Sequence, residues 1–264
     1  MKFTKMQGLG NDYLYVYGEV PHNIKSLCTA LSDRHFGAGS DGMIYISPSE
    51  SADFKMRIFN ADGSEAKMCG NGIRCVGKYV YDKHYTDKTV LTVETLSGIK
   101  TLHLSVADGT VQSVQVEMGI AGVKGEKMLS LAEGAVSLTE IDMGNPHAVI
   151  FTDNMQHETI AARGAAIEHH PLYPDGINVE FVELKDAATL RMRVWERGSG
   201  ITLACGTGAC ASVMAAIHQG FCRFGEDVKV QLDGGTLSIR IADDHRVTMT
   251  GPAAFVYEGE STLC

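Results

Sequence analysis

A chain of 264 residues, 44% hydrophobic and 21% charged, has the composition of a globular protein with room for two domains of ordinary size. Its formal net charge of −9 argues against a nucleic-acid partner and against an anionic membrane surface, though not against small anions held by local arginines and backbone N–H groups. Seven cysteines without disulfide-framework spacing point to a reducing, cytoplasmic setting, the opening Met1–Gly8 lacks the apolar stretch of a signal peptide, and no run reaches the ~20 apolar residues that span a bilayer.

In chain order, β-branched and aromatic runs predict a strand at Tyr13–Tyr17, a helix at Ile24–Ser32, and strands at Met43–Ile46 and Phe54–Phe59. A helix over Gly72–Lys83 and a strand over Val90–Thr95 follow. The second half predicts a strand at Ala148–Phe151, a helix at Thr159–Ala166, and strands at Val179–Glu183 and Thr189–Trp195. It closes with a helix at Gly208–Gln219 and strands at Val228–Leu232 and Thr236–Ile241. In that last helix Ala209, Val213, Ala216 and Ile217 make one apolar stripe.

The two halves repeat. Met68-Cys69-Gly70-Asn71-Gly72 matches Ala204-Cys205-Gly206-Thr207-Gly208, positions 69 and 205 standing at an offset of 136. Met56-Arg57-Ile58-Phe59-Asn60 matches Met192-Arg193-Val194-Trp195-Glu196 at the same offset. Gly10-Asn11-Asp12-Tyr13 matches Gly144-Asn145-Pro146-His147, and Asp41-Gly42 matches Asp175-Gly176, at an offset of 134. Repeats this long, in the same order, indicate duplicated domains rather than a solenoid. The expected division is residues 1–115 with the C-terminal segment 252–264, carrying Cys69, and residues 116–251, carrying Cys205. The expected class is α/β (α+β), each half a curved, mostly antiparallel sheet around a central helix.

Each matched cysteine sits in a Gly-rich turn opening a helix. There the macrodipole and the unpaired N–H groups favour thiolate and are expected to lower the thiol pKa, and the glycines let a carboxylate approach the backbone. Neither loop ends in the Lys-Ser/Thr of a phosphate-binding loop. The spacings Cys69/Cys75 and Cys205/Cys210 fit no common zinc site, so no metal is assigned; Cys75 and Cys210 read as core residues. Cys28, Cys222 and Cys264 carry no motif. Two thiols on opposite walls suit a reaction that needs an acid and a base on the two faces of one atom. Architectural duplication without a shared site, a binding protein with dispensable thiols, and a redox pair remain as alternatives.

The motifs Asn60-Ala61-Asp62-Gly63-Ser64-Glu65 and Met68-Cys69-Gly70-Asn71-Gly72-Ile73-Arg74-Cys75 resemble the first signature of diaminopimelate epimerases. Glu196-Arg197-Gly198-Ser199-Gly200 through Ala204-Cys205-Gly206-Thr207-Gly208 resembles the second. Lys5 to Asp12, Arg34-His35 and Gly144-Asn145-Pro146-His147 extend the resemblance over nearly the whole chain. It implies interconversion of LL- and meso-2,6-diaminoheptanedioate by Cys69 and Cys205 without pyridoxal phosphate or any other cofactor, with the site in the cleft between pseudo-symmetric halves. It also implies that His147 and Glu196 adjust the thiols, that Arg197 meets the distal carboxylate, and that Asn11, Asn60, Asn145 and Asn178 supply polar contacts. The Gly70-Asn71 and Gly206-Thr207 amides would hold the reacting carboxylate. The expected partner is a small amino-acid substrate, with neither nucleic acid nor membrane, and the expected assembly is a homodimer. Where some family members carry glutamine after the loop aspartate, this chain has Gly42. A related racemase acting on another amino acid, such as proline, hydroxyproline or histidine, shares the two-thiol logic and needs no Arg197.

Overall fold

The structure is a computed structural model that describes residues 1–263; the motif-free Cys264, last residue of the expected segment 252–264, lies outside the described residues. Two compact units emerge, one comprising Met1–Val116 with the chain from Gly251 on, the other Glu117–Thr250.

The first unit begins with β1 (Lys2–Gly8), β2 (Asn11–Tyr17), α1 (Ile24–Ser32), β3 (Gly42–Ser47), β4 (Phe54–Asn60), β5 (Glu65–Ala66), α2 (Gly70–Asp82), β6 (Val90–Thr95), β7 (Gly98–Ala107) and β8 (Thr110–Ile120). β1 and β2 are antiparallel, β2 and β3 parallel, β3 and β4 antiparallel, β4 and β6 parallel, and β6 to β8 antiparallel neighbours. Along β4, Phe54, Met56 and Ile58 point inward while Lys55 and Arg57 are half-exposed, the period of two of a one-sided sheet. The outer helix α1 closes a cluster of Phe3, Leu14, Leu27, Leu31, Met43 and Phe59.

The second unit repeats this plan. It contains β9 (Gly122–Leu131), β10 (Gly134–Asp142), β11 (Pro146–Phe151), α3 (His157–Glu168), β12 (Asn178–Asp186), β13 (Thr189–Glu196), β14 (Gly200–Thr202), α4 (Gly206–His218), β15 (Asp227–Leu232), β16 (Gly235–Ile241) and β17 (Arg246–Gly251). β10 and β11 are antiparallel, β11 and β12 parallel, β12 and β13 antiparallel, β13 and β15 parallel, and β15 to β17 antiparallel. This is the ladder of β1 to β8 over again. β9 flanks β10 as β18 (Ala254–Glu260), back in the first unit, flanks β1. Helix α4 is buried on every side from Gly208 to Ile217 and packs on β9 to β13, β15 and β16. A helix apolar all round is the mark of one enclosed by its sheet. The fold is thus α/β, a duplicated curved sheet around a central helix, as expected.

The predicted elements are present, most of them extended by one or two residues at an end. Both central helices begin two residues earlier than expected, at Gly70 and Gly206, and so make the two cysteines their N-caps. Strands β1, β5, β7 to β10, β14, β17 and β18 were not expected from the sequence. β9 shows why: its outward Lys124, Glu126 and Lys127 leave little apolar alternation, and its pairing with β10 supplies the order. No helix among the described residues is long and apolar enough to cross a membrane.

Candidate active site

In the first unit, the N-cap residue Cys69 is extended (φ −137°, ψ 116°), and its Sγ accepts the Gly72 N–H at 3.3 Å. The same sulfur donates to Asn11 Oδ1 at 3.2 Å, and Asn11 Nδ2 donates to Asp41 Oδ2 at 2.7 Å. Arg34 bridges Asp41 and Asp12, at 2.8 Å each, and Lys5 meets Asp12 at 2.7 Å. Burial raises the Asp12 carboxyl, but the hydrogen bonds and charges of Arg34 and Lys5 outweigh it and hold the group below the usual carboxylate range. A fixed ion-pair network therefore aims the Asn11 amide at Cys69. Neither Asp41 nor Tyr13 was among the expected site residues. Tyr13 hydrogen-bonds Asn11 and Cys69, and burial first, then the charges of Cys69 and Asp41, push its hydroxyl far above its ordinary range.

The neighbouring turn is braced from within. Arg74, fully buried, donates to Asn71 Oδ1 at 3.1 Å, Gly70 O at 3.2 Å and Pro252 O at 3.1 Å. The Asn71 side chain is thus engaged inside the unit, and its backbone remains at the positive end of α2. Asn60, at the end of β4, donates to Ser64 Oγ at 3.1 Å. Gly42 has φ +151°, and a Cβ there would lie 2.0 Å from the Phe59 carbonyl oxygen. This backbone has no room for a glutamine at that position.

In the second unit, Cys205 caps α4 with the same extended backbone (φ −121°, ψ 113°) and is buried at 6% exposure. Its Sγ lies 3.6 Å from Thr207 Oγ1, and Asn145 Nδ2 reaches that hydroxyl at 3.4 Å. Asn145 Oδ1 is 3.1 Å from His147 Nε2, and His147 Nδ1 is 2.7 Å from Glu180 Oε1. Glu196 accepts from Thr202 Oγ1 and hydrogen-bonds Cys205; burial pushes its carboxyl up, and those two bonds partly offset the rise. Asn178 joins the strand ends, donating to Pro146 O at 3.0 Å and accepting the Arg197 N–H at 3.0 Å. The exposed Arg197 side chain donates to the Asp175 carbonyl at 3.0 Å.

One expectation is corrected. The helix N-terminus was expected to lower both thiols, yet the Cys205 thiol is pushed well above its ordinary range. Burial is the largest cause, the carboxylates of Glu196 and Glu180 add to it, and Thr207 with the Gly208 N–H pulls only weakly the other way. Glu180 went unnoticed because Asn178-Val179-Glu180-Phe181 reads as an alternating strand with its acid toward solvent. The chain instead buries Glu180 completely.

Within the second unit the structure therefore gathers Cys205, Thr207, Asn145, His147 and Glu196, with Asn178 and Arg197 linked at their edge. Within the first it gathers Cys69, Asn11, Gly70 and Asn71, with Asn60 held by its own loop. A family profile described as diaminopimelate epimerase matches residues 3–123 and 139–256. The chain is 50% identical over 279 residues to a diaminopimelate epimerase of Acetivibrio thermocellus, covering 100% of this chain and 99% of that protein. It is 49% identical over 276 residues to one of Methanococcus maripaludis, covering 98% and 99%. Among solved structures it superposes with TM-score 0.77 on a probable proline racemase of Agrobacterium radiobacter at 17% identity, covering 100% and 93% of the two chains. A phenazine biosynthesis protein of Bacillus anthracis, of the PhzF family, superposes at 0.74 with 15% identity, covering 99% and 98%. At such identities the likeness speaks for the fold. With its profile match and its full-length relatives at about half identity, the chain belongs to the diaminopimelate epimerase family.

Proposed function

We propose that this protein interconverts LL- and meso-2,6-diaminoheptanedioate, a step toward lysine and peptidoglycan precursors, with Cys69 and Cys205 as its two acid/base groups. The observation that carries the reading is the matched pair of N-cap cysteines, each opening the central helix of its repeat, in a chain of this family. Inverting an α-carbon requires a proton to leave one face and another to arrive on the opposite face. One sulfur enters as thiolate and takes the α-proton; the other enters as thiol and returns its own. Their roles exchange in the reverse direction.

The α-proton is a weak acid, so the carbanion needs stabilising where its charge develops. The reading assigns this to the Gly70 and Asn71 amides at the head of α2, and to Gly206 and Thr207 at the head of α4, all directed at the reacting carboxylate. His147 and Glu196 adjust the Cys205 side. Arg197 takes the distal carboxylate, its planar fork suited to bidentate contact. Asn11, Asn60 and Asn145 contact the substrate's polar ends, and Asn178 acts through the Arg197 backbone. No cofactor takes part, and the working form is a cytoplasmic homodimer.

Incubation with LL-diaminopimelate in deuterated water tests the reading. Meso product carrying deuterium at one α-carbon is expected. Absence of exchange in freshly reduced protein would refute the assignment. Cys69→Ala and Cys205→Ala should each abolish turnover while circular dichroism stays unchanged; near-normal epimerisation by either variant would rule out the two-thiol chemistry.

A further inference from the structure

The repeat equates the surroundings of the two thiols residue by residue, and the comparison singles out Glu180. Asn11 corresponds to Asn145, Tyr13 to His147 and Asn60 to Glu196. A Cβ built on Gly72 would lie 2.7 Å from Ile44 Cδ1, and one built on Gly208 would lie 2.7 Å from Glu180 Oε1. Glu180 thus fills in the second unit the place that Ile44 fills in the first. An apolar side chain there needs no partner. A carboxylate with no exposure, buried against a helix, requires compensation or costs several kcal/mol.

The compensation is lopsided. Glu180 Oε1 sits 2.7 Å from His147 Nδ1, while Oε2 is buried with no hydrogen-bond partner. Structural acids seldom keep an unsatisfied oxygen, and such groups gather where a function holds them. From Glu180 the contacts run on through His147 Nε2 to Asn145 and through Thr207 to Cys205. We propose that Glu180 is a positioning residue of the Cys205 side: it anchors the His147 ring through Nδ1, turns Nε2 toward Asn145, and sets the charge that Cys205 meets. The proposal rests on the reading of Cys205 as an acid/base thiol. Facing that sulfur are Glu180 from β12, Glu196 from β13, the Thr207 hydroxyl from α4 itself, and His147 from β11 beyond Asn145. Two acids and one imidazole accompany it, whereas Cys69 hydrogen-bonds the side chains of Asn11 and Tyr13. Burial first, then the charges of Glu196 and Glu180, push the Cys205 thiol up, which fits it to deliver a proton.

Iodoacetamide alkylation across pH, with both cysteine peptides quantified by mass spectrometry, tests this without substrate. It therefore reads out whether or not diaminopimelate is turned over. In the wild-type protein Cys205 is expected to react only above the ordinary thiol range; reaction within that range overturns the proposal. Glu180→Gln keeps an acceptor for His147 and removes the charge, whereas Glu180→Ile installs the first unit's residue and removes both. In each variant Cys205 should alkylate several-fold faster at neutral pH while the Cys69 profile stays in place. Turnover should fall in both variants, and further in Glu180→Ile, where kcat should drop at least tenfold with little change in KM. A Cys205 profile that stays put, or a Cys69 profile that moves equally, overturns the proposal. So does full activity in folded Glu180→Ile. Should that variant not fold, the wild-type and Glu180→Gln profiles decide.

Discussion

At the scale of single residues, the surroundings of the second unit's thiol depend on glycine as much as on cysteine. Gly208 lies in the first turn of α4, and a methyl group there would press within 2.7 Å of Glu180 Oε1. Gly208→Ala should displace the carboxylate from His147 and cost about 1–3 kcal/mol of stability, read by denaturant titration. Gly72→Ala meets the soft Cδ1 of Ile44 at the same distance, and that flexible tip can turn aside. The first-unit variant should therefore be the milder of the two, and equal losses would contradict the packing argument. In the proposed function Arg197 carries specificity. Replacing it with methionine should cost about 3 kcal/mol in kcat/KM for diaminopimelate, since the distal carboxylate loses its cation. Lysine, which lacks that carboxylate, should be a very poor substrate of the unsubstituted protein. If lysine, proline or histidine turned over comparably, the substrate assignment would fall.

At the scale of elements, the ion pairs joining β1, β2 and the loop before β3 hold the Asn11 amide against Cys69. Asp41→Asn should weaken both the Arg34 contact and the Asn11 contact, lowering kcat with little loss of folding. The same network governs acid stability. The Asp12 carboxyl lies below its usual value of 3.8 in the folded state, so it is protonated more readily after unfolding. Its contribution is therefore fully present above the ordinary carboxylate range, and it is lost as pH falls through the lowered folded value. Thermal scans from neutral pH downward should show this loss in the wild-type protein. Asp12→Asn should be less stable at neutral pH and flatter in its acid limb. A parallel fall in both proteins would mean that other carboxylates control acid unfolding.

At the scale of the whole molecule, duplication supplies two copies of one scaffold, and divergence at three equivalent positions makes them chemically unlike. Tyr13, Ile44 and Asn60 stand in the first unit where His147, Glu180 and Glu196 stand in the second. The proposed service of opposite faces by two unlike groups has an isotopic signature. Early in the reaction of LL-diaminopimelate in deuterated water, the meso product should be deuterated at its inverted carbon while recovered substrate stays largely unlabelled. Rapid labelling of recovered substrate would instead indicate one exchanging base.

Much of this was legible in the chain. The repeat offset, the Cys-Gly-x-Gly turns and the order of strands and helices are local patterns, and local patterns decide which elements form and which residues cap them. Family-specific motifs extended that reading to Asn11, Asn145, His147, Glu196 and Arg197. What the sequence left open was set by packing. Strands β7 to β10 have too little apolar alternation to announce themselves and gain their order from neighbours. Gly42 excludes a side chain only because the Phe59 carbonyl passes beneath it. The raised Cys205 thiol reverses the expectation drawn from a helix N-terminus. The dipole follows from the helix alone, whereas desolvation and two neighbouring carboxylates arise only when β12 and β13 close over α4. Glu180 reads as one more strand residue along the chain, and becomes a buried, half-satisfied acid when the sheet wraps around its helix. Charge and burial at a site depend on contacts distant in sequence, and those contacts exist only in the folded molecule.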